Sequence, residues 1–292
     1  MIIVITGPTG VGKTKLSVEL AKIYNGEIIN ADSTQVYKGL DIGTAKVTKE
    51  EKEGIKHHLF DIREVTDNYT VYDYQIDARQ KIKELKSKNK IPILVGGTGL
   101  YLKAALYDYK FSKESEKDLE FEELSNEELV NKIKEADYEI DIPVNNRRRL
   151  LRIYNKILKE TFIESSNPDL LYDDVIFIGL TTNTNNLYQK IDLRTDKMIM
   201  ELGLVDEVKE FYKKDLRTKA LDTAIGYKEL YDFFDDEITF TESINKIKQN
   251  CRNYAKRQYT FFRNQMDVKW FEVDYDDFRK TINEVVEYIE KK

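Results

Sequence analysis

The stretch "GPTGVGKT" at residues 7–14 follows the apolar run "MIIVI" and has the spacing Gly7, four residues, Gly12, Lys13, Thr14. A short β-branched run before a glycine-rich turn reads as a buried strand. Beyond the turn, Leu16, Leu20, Ile23 and Tyr24 recur at i, i+4, i+7 and i+8. That stripe predicts a helix over 12–24 lying against a sheet. Strand, glycine loop and helix in this order are the context a P-loop requires. Its glycines let successive N–H groups converge on phosphate oxygens, and the helix start adds partial positive charge. Gly7, Pro8, Thr9, Gly10, Val11, Gly12, Lys13 and Thr14 are therefore expected to cradle a phosphate or diphosphate. Lys13 supplies a point charge, and the Thr14 hydroxyl can ligate Mg²⁺.

Working outward, Asn25-Gly26 stops the helix and "EIINAD" (27–32) reads as a second strand. Residues 79–90 read as a helix and "IPILV" (91–95) as a third strand. "GGTG" breaks that strand, and "LYLKAAL" starts another helix. Strands alternating with helices at these lengths imply parallel βαβ units. From about residue 112 to 172 strands disappear and charge rises. "DVIFIGLTT" (174–182) returns as a buried strand, helical stretches follow at 186–202, 204–214 and 241–265, and "DVKWFEV" precedes a closing amphipathic helix. The expected fold class is α/β: a P-loop parallel-sheet core, 1–111 and 173–292, with a mostly helical insertion domain at 112–172.

Composition narrows the function. No run approaches the ~18 apolar residues of a membrane helix, and "MIIVI" is too short for a signal-peptide core. A lone cysteine, Cys251, excludes a disulfide framework and a cysteine-rich zinc site. A cytoplasmic monomer is expected. The net charge of −6 speaks against a nucleic-acid partner, but the charge is segregated. Residues 113–141 hold twelve acids against four bases, residues 147–159 hold six bases and no acid, and residues 248–263 hold five bases and no acid.

Carboxyl ends of parallel strands gather at the ligand crevice, which makes Asp32 the first acidic candidate and Asp61 a weaker one. A nucleotide hydrolase usually carries an acid on the strand that here reads "IPILV". That strand runs instead into Gly96-Gly97-Thr98-Gly99, where small residues would let another molecule approach and Thr98 offers a hydroxyl. Among the bases, Arg148, Arg149 and Arg152 sit at helical spacing within "NNRRRLLR", a grouping suited to phosphate. In "KQNCRNYAKRQYTFFR", Arg252, Lys256 and Arg257 are interleaved with aromatics, a pattern suited to RNA as well as to a solvated helix face. His57 and His58 are adjacent, which fits structural hydrogen bonding better than a shared metal.

"GPTGVGKT", "NADSTQVYKGLDIGTAK", "HHLFDI", "LVGGTGLYLKA", "NNRRRLLR", "GLVDEV", "AIGYKEL" and "YAKRQYTFFR", in this order and over nearly the whole chain, resemble the bacterial tRNA dimethylallyltransferases, the tRNA isopentenyltransferase family. The resemblance implies transfer of a dimethylallyl group from dimethylallyl diphosphate to N6 of the adenosine 3′ of the anticodon. The P-loop would then hold the leaving diphosphate. Asp32 would be the base and Thr98 would lie near the reacting centre. Asp32, Ser33, Thr34 and Gln35 would meet the flipped bases. The stretch Arg148, Arg149, Leu150, Leu151 and Arg152 would contact the tRNA anticodon stem-loop, and the helix bearing Arg252, Lys256 and Arg257 would add backbone contacts. Relatives often carry Gln or Arg just before the "AIGY" block. This chain has Thr223 there, and Arg217 is the nearby arginine that could replace it.

Three other readings share parts of this pattern. A P-loop kinase of a small metabolite uses the same loop and an activating Asp32, but leaves the arginine stretch unexplained. An isopentenyltransferase of free adenine nucleotides shares the core. A non-catalytic RNA-binding module has no need of Lys13, Thr14, Asp32 and Thr98 together.

Overall fold

A computed structural model describes residues 1–109, 124–136, 143–158 and 168–292, without the side chains of residues 148, 152, 156 and 158. Six strands form one sheet: β1 (Ile2–Thr6), β2 (Gly26–Asn30), β3 (His57–His58), β4 (Ile91–Val95), β5 (Val175–Thr181) and β6 (Lys269–Glu272). Their order is β3-β2-β4-β1-β5-β6, and each pairing is parallel. The helices are α1 (Lys13–Ile23), α2 (Val71–Ser87), α3 (Gly99–Leu106), α4 (Asn126–Glu135), α5 (Arg147–Leu158), α6 (Thr184–Met200), α7 (Leu204–Tyr212), α8 (Lys219–Thr223), α9 (Tyr227–Phe234), α10 (Phe240–Gln265) and α11 (Phe278–Glu290).

β1 runs between β4 and β5 and is fully buried, which is why it reads as a continuous apolar run. Its side chains alternate between faces. Ile2 and Val4 join the larger core with Ile29, Leu94, Tyr74, Leu102 and Phe262. Ile3 and Ile5 join a second core with Leu16 and Leu20 of α1 and Ile282 and Val285 of α11. The sheet is thus covered on both sides, as crossover helices require.

The chain divides into two compact units, residues 1–109 with 170–292, and residues 110–169. Within the second unit α4 and α5 pack through Leu129, Ile133, Leu150, Leu151 and Tyr154.

Several elements differ from expectation. α2 begins at Val71, eight residues before the charged run that announced it, because Thr70 and Asp73 form a capping box. β3, α8 and α9 are too short to leave a periodic signal. His57 donates to the Ile55 carbonyl at 2.9 Å and His58 to Glu27 at 2.7 Å. Among the described residues no cluster of acids, histidines and cysteines could hold a metal alone, and no helix is long and apolar enough to cross a membrane.

α10 brings one long helix past the sheet, and two features hold it. Thr239 accepts from the Glu242 amide at 3.2 Å while the Glu242 carboxylate accepts from the Thr239 amide at 2.7 Å. Phe262 is completely buried in the larger core. Thr239→Ala should cost about 1 kcal/mol of stability, and Phe262→Ala about 3–5 kcal/mol. Denaturant unfolding followed by circular dichroism measures both, and equal losses would refute the ranking.

Candidate active site

The P-loop occupies the carboxyl end of β1. Gly12 caps α1 with φ 100°, and a Cβ there would stand 2.7 Å from the Phe278 ring, so only glycine fits this turn. Thr9, Gly10, Gly12, Lys13 and Thr14 line a cleft of about 940 Å³. The Val11 side chain does not: it is fully buried in the core, leaving only its backbone to the loop. Lys13 folds back and donates to the carbonyls of Gly7 at 3.0 Å and Pro8 at 2.8 Å. Burial brings its pKa down to about 8, against the pull of Asp32 and with a further push from Arg194.

Asp32 follows the end of β2 and is framed by Asn30, whose side chain is completely buried. Asn30 accepts from the Asp32 amide at 2.9 Å and donates to the carbonyls of Asp32 at 3.0 Å and Leu59 at 3.1 Å. Asp32 Oδ1 accepts from the Thr34 amide at 2.9 Å and hydroxyl at 2.7 Å. Among the described residues no hydrogen bond reaches Oδ2, so that oxygen is available to a ligand. The Thr34 hydroxyl, expected to meet RNA, donates its proton to Asp32 and lines the cleft. Thr98 lies beside Ser33: its hydroxyl accepts from the Ser33 amide at 3.0 Å and donates to the Ser33 hydroxyl at 3.3 Å. Gln35 donates its amide to the Thr44 carbonyl at 2.9 Å. Asp61 pairs with Lys46 at 2.6 Å.

The small residues after β4 admit protein rather than a foreign molecule. A Cβ on Gly97 would lie 1.8 Å from Gln258 Nε2. Gln258, on α10, donates to the Gly97 carbonyl at 3.1 Å and accepts from the Thr9 amide at 3.2 Å. One buried amide thus ties the P-loop to the turn that carries Thr98. Tyr254, one helical turn earlier, lines the same cleft near Thr98, and burial pushes its phenol pKa well up.

Arg194 of α6 is the cleft residue that sequence reading missed. It donates to the Thr9 hydroxyl at 3.0 Å and lies deep enough that burial lowers its pKa. The available signal was position: Leu187, Ile191, Thr195 and Met198 form the buried stripe of α6, and Arg194 is a charge on that stripe. Arg217, the expected substitute for an arginine at Thr223, bonds Asp235 at 2.9 Å and stacks on Tyr212 and Tyr231. It is absent from the cleft lining, whereas Thr223 is part of it.

The basic patches divide. Arg252 is held by Asp192 at 2.7 Å and 2.8 Å, while Lys256 and Arg257 are exposed and Arg257 reaches the cleft. Arg149 is exposed on α5. Leu150 and Leu151 are core residues of the second unit, so their side chains are withdrawn from any partner. The side chains of Arg148 and Arg152 lie outside the described residues. Around the cleft, Lys13, Lys15, Lys46, Lys52, Arg194, Lys197 and Arg257 outnumber Asp32, Asp41, Glu51 and Asp61, which gives an acidic chain a basic opening.

A family model described as IPP transferase matches residues 35–265. A tRNA dimethylallyltransferase of Anoxybacillus flavithermus is 48% identical, covering 100% of this chain and 96% of that protein. One from Bacillus cereus is 44% identical over 100% and 95%. Among solved structures, the tRNA delta(2)-isopentenylpyrophosphate transferase of Staphylococcus epidermidis superposes with a TM-score of 0.76 at 38% identity, covering 99% of this chain and 98% of that one. A eukaryotic dimethylallyltransferase acting on tRNA gives 0.82 at 27% identity, over 100% and 80%. With the P-loop, Asp32 and Thr98 converging at one edge of the sheet, and with relatives matched end to end, this chain belongs to the IPP transferase family.

Proposed function

We propose that this chain transfers a dimethylallyl group from dimethylallyl diphosphate to N6 of the adenosine 3′ of the anticodon in tRNA, releasing diphosphate. The observation that carries the reading is the juxtaposition of a P-loop with a carboxylate that has an oxygen to spare. No acid on β4 competes for a nucleotide's metal and water.

An exocyclic adenine amine is a poor nucleophile because its lone pair is delocalised. Asp32 Oδ2 takes the N6 proton as the new C–N bond forms, while the allylic C–O bond breaks and its electron pair leaves with diphosphate. The Asn30 frame holds Asp32 for this task. The leaving group's charge is met by P-loop N–H groups, by Lys13 and by the Arg194 fork. Thr14 is the residue that would hold Mg²⁺, and the lack of an acidic cage among the described residues suits a cation bound mainly through diphosphate oxygens. When bound, the cation neutralises part of the diphosphate charge.

The acceptor base has to leave its stack to reach Asp32. Ser33 and Gln35 would meet it, and both line the cleft with Tyr254. The basic opening, including Lys197 and Arg257, suits the RNA backbone. Arg149 on the helical insertion adds a phosphate contact. The chain works as a monomer in the cytoplasm.

An anticodon stem-loop RNA, incubated with protein, Mg²⁺ and dimethylallyl diphosphate, should gain the mass of one dimethylallyl group. It should not do so when the target adenosine is replaced by guanosine. Asp32→Ala should bind diphosphate but lose transfer at least about a hundredfold. No mass gain by the intact chain, with ATP consumed on small metabolites instead, would replace this reading with a kinase.

Arg194→Ala should weaken diphosphate binding by about 10- to 100-fold, the worth of a charge-assisted hydrogen bond. Arg194→Lys should not restore it, since a point charge lacks the fork. Calorimetric titration decides this, and unchanged affinity removes Arg194 from the leaving-group site. Arg149→Ala should weaken RNA binding and lower the salt dependence by about one counterion. An unchanged slope places Arg149 away from the RNA.

A further inference from the structure

"GLVDEV" (203–208) and "AIGYKEL" (224–230) take no part in the proposed chemistry, yet the fold brings both onto one loop of the cleft. Glu207 of α7 accepts three consecutive backbone N–H groups, from Asp41 at 3.1 Å, Ile42 at 2.8 Å and Gly43 at 3.2 Å. It also accepts from the hydroxyl of Tyr227 on α9, a residue with no exposed surface. Successive peptide N–H groups turned to one side form an anion nest. Here the nest is filled by the chain's own carboxylate.

The nest governs the remainder of the loop. Thr44 and Ala45 present their carbonyls to the Gln35 side-chain amide at 2.9 Å and 3.4 Å. Ala45 sits at φ 49°, a conformation a non-glycine residue keeps only when its surroundings impose it. Lys46, with a side chain only 7% exposed, donates to the Tyr37 carbonyl and pairs with Asp41 and Asp61. None of the bonds made by Glu207 reaches residues 7–14.

We infer that Glu207, supported by Tyr227, is a positioning residue that fixes the 41–45 loop and, through it, the Gln35 amide, so that it controls recognition of the RNA acceptor and not of the prenyl donor. The inference rests on the proposed transfer to RNA for its substrate and on the carboxylate nest for its mechanism. Removing the carboxylate strands three amide donors and releases the strained turn at Ala45. Gln35 then loses its fixed partners, and the acceptor base meets a mobile amide in place of a held one.

The test uses the whole chain carrying Glu207→Ala, Glu207→Gln or Tyr227→Phe. Steady-state transfer is measured with RNA and dimethylallyl diphosphate varied separately. Amide hydrogen exchange is followed at residues 41–43, and RNA binding is measured directly. Glu207→Ala should raise the KM for RNA about tenfold or more, as loss of charge-assisted bonds implies, with the donor KM within about twofold. Exchange at 41–43 should quicken. Glu207→Gln keeps the side-chain volume and should behave in the same direction. Tyr227→Phe leaves the three backbone bonds and should raise the RNA KM by only about two- to threefold.

Equal increases in both KM values would overturn the inference in favour of general loosening, and so would an unchanged RNA KM or unchanged exchange at 41–43. Should the intact chain transfer nothing to RNA, the functional reading falls. Exchange at 41–43 and direct RNA binding by the variants then decide the inference: quicker exchange with weaker binding supports it, and any other result overturns it. Should Glu207→Ala fail to fold, Glu207→Gln and Tyr227→Phe carry the same comparison.

Discussion

The parallel direction of every strand pairing is the constraint on which the rest of the molecule depends. Parallel strands end on one edge, and the loops leaving that edge are forced into company. β1 delivers the P-loop, β2 delivers Asp32 and β4 delivers the turn with Thr98. None of these groups is a sequence neighbour of the others. Crossover helices cover both faces of the sheet, so the edge is where a polar site can open without breaking the core.

Convergence of loops is not yet a site, because each loop is free to move unless it is tied. Three side-chain amides do much of the tying. Asn30 frames Asp32, Gln35 joins the turn at Thr44, and Gln258 joins the P-loop to the Gly97 carbonyl. An amide suits such posts because it donates and accepts at once without carrying charge. A carboxylate at Gln258 would leave the Gly97 carbonyl facing another acceptor. At these three posts the framework is carried without adding charge, while Glu207 and Lys46 tie the 41–45 loop with charged groups.

Legibility in the sequence depended on range. β1, β4 and β5 were plain because buried strands read as short apolar runs between breakers. The P-loop was plain because all its parts lie within eight residues. Asp32 and Thr98 could be named from strand ends, and the family resemblance joined them. The partners of each group were not legible, since they depend on residues far along the chain. Gly97 reads as room for a ligand until Gln258 is seen beside it. That Arg252 is paired with Asp192 cannot be read from its own stretch, and Leu150 and Leu151 share a basic stretch while pointing into a core. Arg194 was hidden for the opposite reason, as a charge on an apolar stripe whose purpose appears only when α6 is laid against the P-loop.

Lys13 and Arg194 stand together deep in the cleft, each with its pKa lowered by its surroundings. Asp32 offsets only part of that crowding, and a bound diphosphate would relieve the rest. In the proposed reaction the product relieves it more than the substrate does, because free diphosphate carries a further negative charge once the ester bond is gone. The cations that draw the donor in therefore also hold back the spent leaving group. Release of diphosphate from between Lys13 and Arg194 would then be a step of its own, separate from the bond transfer.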